Sequence, residues 1–232
     1  MKSIYKIFII FVLGVTISAC NTVKSVKVED FTVNMKSPQI KVGEVDLQLE
    51  TFLGMGKLKK QNVTVLYFPK EDVICLKYKY EFYTFYQFWN KKGRLEFINA
   101  LTKYNEDYNA RNLEKNNKSQ YKYGVVRGYL VWQLISITVQ ARANMNVELG
   151  YVFKDKSPYF SVNQREAEYI DADARDNNRT SPNITMYFTR AQAAELSKIF
   201  EDHLIPVEIP IEDEYQEAYT PMTENDPLKD AY

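Results

Sequence analysis

Ten apolar side chains stand at every second position from Ile135 to Phe153: Ile135, Ile137, Val139, Ala141, Ala143, Met145, Val147, Leu149, Tyr151 and Phe153. Between them lie Ser136, Thr138, Gln140, Arg142, Asn144, Asn146 and Glu148. Successive side chains of a strand point to opposite faces, so this pattern describes a strand with one face in a core and the other in water. Nineteen extended residues would reach about 63 Å, whereas a compact domain of about 200 residues has a radius of gyration near 17 Å. The run is therefore expected to bend, bulge or turn within residues 141–146.

Other segments repeat the period of two. Val45, Leu47, Leu49, Thr51 and Leu53 alternate with Glu44, Asp46, Gln48 and Glu50, which predicts a half-buried strand. Residues 63–68 and 73–89 flank Pro69-Lys70-Glu71-Asp72, where proline presets a turn dihedral and withholds a ladder amide, so the two should form a hairpin. The second arm reads as one strand, with Leu76, Tyr78, Tyr80, Phe82, Tyr86 and Phe88 on one face. Residues 121–134 are apolar on both faces and predict a central strand, with Gly124 and Gly128 marking a bulge or a close packing point.

Two helices interrupt the strands. Over residues 92–114, Phe97, Leu101, Tyr104 and Tyr108 fall at helical spacing, widened by Leu95 and Ile98, and this stripe should pack on the sheet. Asp107 and Arg111 are spaced to pair on its outer face. Thr189-Arg190-Ala191-Gln192 has the form of a capping box opening a second helix that runs to about His203, directly after a short strand at 184–188. The fold expected is α+β: a curved, largely antiparallel sheet packed by two helices, in a single domain over residues 28–211.

The N-terminus carries a different message. Met1-Lys2-Ser3-Ile4-Tyr5-Lys6 is basic, an apolar stretch of 13 residues follows over 7–19, and Ile17-Ser18-Ala19-Cys20 ends it. Basic end, apolar run and small residues before a cut site match a secretory signal peptide over residues 1–19. The run is short of the roughly 20 residues needed to span a bilayer core. The order aliphatic, Ser, Ala, Cys resembles the lipobox of bacterial lipoproteins. That resemblance implies cleavage before Cys20, thioether lipidation of its sulfur and acylation of the new terminus with chains such as palmitate. Two or more acyl chains hold a protein durably on a membrane where one does not. Residues 20–27 would then be a lipidated tether, and the address would be a bacterial cell envelope, the outer membrane being the expected one with its side left open. The mature region is similar to uncharacterised spirochaete-type envelope lipoproteins, a resemblance that brings no assigned activity and no site residues.

Charge and cysteine usage exclude several classes. Without Lys2 and Lys6 the chain has 28 basic against 30 acidic side chains, and nucleic-acid binding needs a basic field that is missing here. Cys20 and Cys75 are the two cysteines, and with the first committed to lipid no intramolecular disulfide can form. The domain must be held by burial. Residues 206–232 contain four prolines and eight acids against one lysine, and an acidic disordered tail is expected over 212–232.

Catalytic motifs are missing from the chain: nucleophile elbow, Walker loop, HExxH and paired CxxC are all absent. His203, the single histidine, reads as a polar helix-end residue, and Cys75 as a buried inert thiol. Asp171-Ala172-Asp173-Ala174-Arg175-Asp176 begins like a calcium loop but lacks its glycine and places Pro182 where the bidentate acid belongs. Glu166 and Glu168 could form a glycosidase-type carboxylate pair, though solvated charge is the commoner reason for such acids. No cofactor and no metal are expected. The aromatic residues of 78–89, with Tyr129 and Trp132, read as core rather than as a sugar or lipid cleft.

The connection at residues 163–183 is longer than most and rich in hydrogen-bonding groups. Arg165, Asp171, Asp173, Arg175, Asn178 and Arg179 are its candidate partner-binding residues, the arginines because a planar guanidinium grips carboxylates in a forked geometry. The function expected is a non-enzymatic, membrane-anchored envelope lipoprotein that binds a protein or envelope component. A carrier of an apolar ligand in a sheet-lined cavity is the alternative, and a cell-wall glycan hydrolase the third.

Overall fold

The computed structural model describes residues 29–50, 57–116, 118–134, 140–170 and 180–205. Within them eight strands run in chain order: β1 Ile40–Glu50, β2 Leu58–Phe68, β3 Val73–Tyr80, β4 Tyr83–Asn90, β5 Gly124–Leu134, β6 Gln140–Lys154, β7 Ser157–Gln164 and β8 Ile184–Phe188. Helix α1 spans Lys91–Asn109 and helix α2 Arg190–Asp202. All neighbouring strands are antiparallel and the order is sequential, so the sheet closes on itself as a barrel. The α+β class, the antiparallel pairing and the two helices agree with the expectation. The curved sheet is corrected to a closed one. Closure rests on β1 meeting β8 at Gln48↔Tyr187 and Leu49↔Met186, a pairing across more than a hundred residues that local periodicity does not encode.

The side-chain phase is continuous around the wall. Val45, Leu47, Val65, Tyr67, Leu76, Phe85, Leu130, Met145, Val147, Phe160 and Met186 face inward and join one buried cluster with residues of both helices. Asp46, Lys60, Lys77, Arg142 and Glu148 occupy the outward phase. A bilayer-spanning barrel shows the opposite arrangement, an apolar belt outside and polar groups within. Among the described residues no helix is long and apolar enough to cross a membrane.

A second buried cluster lies on the outside of the wall. Leu66, Phe68, Val73, Cys75, Phe88, Tyr129 and Val131 face outward and are covered by Phe31, Val33 and Met35. This N-terminal strap is pinned at one end by Arg127 Nε to Asp30 at 2.6 Å and at the other by the Ser37 hydroxyl donating to Glu71. Burial pushes the Cys75 thiol well above its ordinary value, the condition of an inert thiol.

The two ends of the barrel are closed differently. At the lower end the Pro69–Asp72 turn joins β2 to β3, and both helices follow downward-running strands. Phe97 of α1 meets Trp89, Phe160, Phe188 and Phe200, with ring centroids 5.0–6.4 Å apart. Helix α1 starts at Asn90, whose side chain accepts from the Gly93 amide, and α2 has the full capping box at Thr189 and Gln192. Helix α2 packs against β1, where a Cβ on Gly43 would lie 2.7 Å from Ile199 Cδ1. Arg94, fully buried, ties the plug together: its guanidinium donates to the Asp72, Trp89 and His203 carbonyls and pairs with Asp72 Oδ1 at 2.7 Å.

Several local expectations change. The β2–β3 hairpin is present, but residues 73–89 are two strands, not one, because the chain reverses at Glu81-Phe82 with Glu81 at φ 53°. That turn inverts the phase: Phe85, Gln87 and Trp89 face inward, while Tyr86 and Phe88 face out. Strand β6 pairs with β5 without a break from Gln140↔Gln133 to Leu149↔Gly124, so of the bend, bulge or turn expected within 141–146 neither the bulge nor the turn is present. The fifteen residues of β6 at about 3.3 Å each fit because barrel strands tilt and coil around the core. The unbroken register also means that Gly124 and Gly128 mark no bulge; Gly128 is a close packing point, where a Cβ would sit 3.1 Å from Val147 Cγ2. Helix α1 ends at Asn109, short of 114. Asp107 pairs with Lys122 at 2.6 Å and accepts from Tyr123 rather than meeting Arg111, which lies beyond the helix at φ 58°.

Candidate functional site

The upper end holds the end of β1, the start of β2, the β3–β4 turn at Glu81-Phe82, the end of β5 and the start of β6. Here the wall parts. Strands β2 and β3 are paired only from Thr64↔Lys77 to Phe68↔Val73, yet β2 begins at Leu58 and β3 continues to Tyr80. Above Thr64, β2 is paired to β1 alone, and above Lys77, β3 is paired to β4 alone. A notch of about 450 Å³ occupies the parting, lined by Leu49, Lys59, Gln61, Lys79, Tyr80, Glu81 and Phe82.

The notch has a floor. Tyr80 points inward and its hydroxyl donates to the Glu50 carbonyl on β1 at 3.3 Å. Both Tyr80 and Leu49 line the notch and pack with the inner cluster, so they lie between the two. Deeper still, Tyr78 stacks on Phe85 with centroids 5.5 Å apart and donates to Gln164 Oε1 at 3.1 Å. The Gln164 amide donates to the Pro182 carbonyl at 3.0 Å, and the Trp89 indole donates to Gln87 at 3.2 Å. These buried amides have partners, which is what allows them inside an apolar barrel. Burial raises the Tyr78 hydroxyl well above its ordinary value, so Tyr78 is a donor here and not a base.

The rim is unlike the floor. Phe82 is 63% exposed and Tyr83 37%. Lys59 and Lys79 stand on opposite lips, and among the described residues neither has a carboxylate partner, whereas neighbouring Lys60 is held by Asp46 at 2.7 Å. Lys59 and Gln61 continue the inward phase of Val63 and Val65 and could have been noticed for it: polar residues at core-facing positions mark where the inner face opens to water. Glu81 Oε1 is buried without a hydrogen-bond partner.

Of the residues expected to bind a partner, Arg165 alone is described. It is half exposed, 3.5 Å from Glu148, and its amide extends the β6–β7 ladder to the Asn146 carbonyl. Asp171, Asp173, Arg175, Asn178 and Arg179 lie outside the described residues, as do Cys20, the 171–176 acidic run and the tail over 212–232. The stem of that connection lies against the barrel: Tyr169 packs edge-on to Trp132 at 4.7 Å, and the Ile170 amide donates to the Arg142 carbonyl. Glu166 accepts from Thr180. The notch holds a single carboxylate, Glu81, so the paired acids of a glycoside hydrolase are not assembled there. Tyr129 packs in the outer cluster and Trp132 in the inner one, both as core. No group of three or more metal-binding side chains occurs among the described residues.

No curated protein and no solved structure matches the chain. One family model does, and it runs from the small residues before Cys20 to the end of α2. Residues 17–206 match the family described as uncharacterised Treponema protein, and the chain belongs to that family.

Proposed function

We propose that the protein is a lipid-anchored, non-enzymatic binding module of the bacterial envelope, which presents the notched mouth of its barrel to a protein or envelope component. The observation that carries this reading is an interior filled by one continuous buried cluster combined with a notch at one end that has Leu49 and Tyr80 in its lining and an exposed Phe82 at its rim. An eight-stranded barrel is just wide enough to be filled by its own side chains, and the inner cluster of this one is continuous with the aromatic plug below. Anchoring rests on the lipobox-like Ile17-Ser18-Ala19-Cys20. The strap leaves the barrel wall at Asp30, and the nine steps from Cys20 to Glu29 span at most about 30 Å, so the barrel would sit close to the membrane.

A second reading, a carrier of a small apolar ligand, is favoured by the closed eight-stranded wall and its parting between β2 and β3. One set of experiments separates the two. Cys20→Ser should leave the protein unprocessed or in the soluble fraction; mature-length mutant still on membranes after a high-salt wash would overturn the lipid anchor. Full-length wild type should capture a discrete envelope partner that Phe82→Ser loses while its melting temperature stays unchanged. Equal capture by both, together with a stoichiometric lipid in native mass spectra of the purified protein, would replace the binder by the carrier.

A further inference from the structure

Resting on the binding-module reading, we infer that the notch takes an extended acidic polypeptide segment by strand addition. Over residues 58–63 and 78–80 the facing edges of β2 and β3 have no strand partner among the described residues. An edge of this kind presents main-chain N–H and C=O groups that an incoming extended chain can pair. Lysine on an edge strand deters indiscriminate pairing. Here Lys59 and Lys79 do more than deter, because among the described residues neither has a carboxylate partner, in a chain whose formal charge is balanced. Carboxylates on the incoming segment supply what they lack, and a basic segment is repelled.

Two further features complete the recognition. Phe82, 63% exposed at the rim, offers an apolar side chain of the segment a surface to cover, with Leu49 and Tyr80 beneath it. Glu81 Oε1 is buried without a donor, and a desolvated acceptor gains from any N–H brought to it. Lys59 continues the inward phase and Lys79 the outward one, so the segment recognised is extended, carries acids on both of its faces and has apolar residues beside them.

The test uses the full-length chain in mild detergent and three synthetic octapeptides: a repeat of Glu-Glu-Val-Val, which presents acids on both faces of a strand, a repeat of Lys-Lys-Val-Val, and the acidic peptide N-methylated at every second amide. Fluorescence anisotropy should show the acidic peptide binding at least about tenfold more tightly than the basic one. The double variant Lys59→Glu/Lys79→Glu should reverse that order, and both side chains are exposed, so an unchanged melting temperature confirms its fold. N-methylation should abolish binding, and hydrogen exchange of residues 58–63 and 78–80 should slow when the acidic peptide is bound. The inference is overturned if the acidic peptide fails to bind, if it is not preferred over the basic one, or if binding survives the double variant or N-methylation. Envelope capture that still depends on Phe82 in any of those cases leaves the binding module standing with a different ligand; loss of that dependence removes the module itself.

Discussion

At the lower end of the barrel Phe97, Trp89, Phe160, Phe188 and Phe200 close on one another beside a buried arginine, Arg94, whose two terminal nitrogens are hydrogen-bonded while its Nε has no partner among the described residues. At the upper end the inward phase of β2 continues into Lys59 and Gln61, the ladder to β3 stops, and Phe82 faces solvent. One strand, β2, takes part in both. Its lower half has partners on both sides and apolar side chains within; its upper half has one partner and polar side chains within. On the proposed reading, stability and recognition lie at opposite ends of the same elements, and a change at the mouth should alter binding with little cost to the fold.

The largest effect expected on this comparison is at the plug. Phe97→Ala removes a ring that four other aromatic rings surround, and cavity formation at such a site costs about 3 to 5 kcal/mol. Urea unfolding of this variant and of Phe82→Ser should separate them widely, since exposed substitutions stay within about 0.5 kcal/mol. Similar midpoints would abolish the distinction between the ends.

Arg94→Met comes next. The side chain is fully buried, and its loss strands the Asp72, Trp89 and His203 carbonyls. A destabilisation of about 1 to 3 kcal/mol is expected for such unsatisfied acceptors, with the apolar replacement recovering part of the packing. Because those carbonyls come from the β2–β3 turn, the end of β4 and the residue that follows α2, hydrogen exchange should rise at the lower end and stay unchanged in residues 58–63. Faster exchange at the mouth instead would show that the two ends are coupled.

How much of this was legible in the sequence follows the range of the interactions involved. Capping at Thr189-Gln192, the stripe Phe97, Leu101, Tyr104 and the Pro69–Asp72 turn are encoded within a few residues, and each is found. Tyr108 and Leu95, at the edges of the stripe, are exposed instead. The Glu81-Phe82 turn is not legible in the sequence because it has no glycine, proline or asparagine to announce it; a glutamate takes the left-handed conformation, which is uncommon for such a residue. Barrel closure is not legible either, because it depends on two rungs between the first and last strands. The notch arises from pairing that is absent, which alternation of side chains cannot signal; Lys59 and Gln61 in the core-facing phase were its one trace. The connection singled out for its arginines contributes Arg165 alone to the described residues.

The smallest effect expected concerns the seam beside the mouth. Glu50, the last residue of β1, accepts from Lys154 Nζ at 2.7 Å and from the Tyr187 hydroxyl at 2.7 Å, tying β1 to β6 and β8 where the ladder provides just two rungs. Burial works against ionisation of Glu50, but those two hydrogen bonds outweigh it and hold the carboxyl below its ordinary value of 4.5. A carboxyl whose native value is depressed adds stability that is complete above its unfolded value and is lost as the pH falls through the native one. Since the pair is partly exposed, Glu50→Gln should cost less than about 1 kcal/mol at pH 7. The difference between wild type and variant should shrink when unfolding is repeated well below pH 4.5, where the wild-type carboxyl is itself neutral. A difference that does not change with pH would mean that the seam is held by its ladder and packing alone, and the charge of Glu50 would then have no part in keeping the mouth closed.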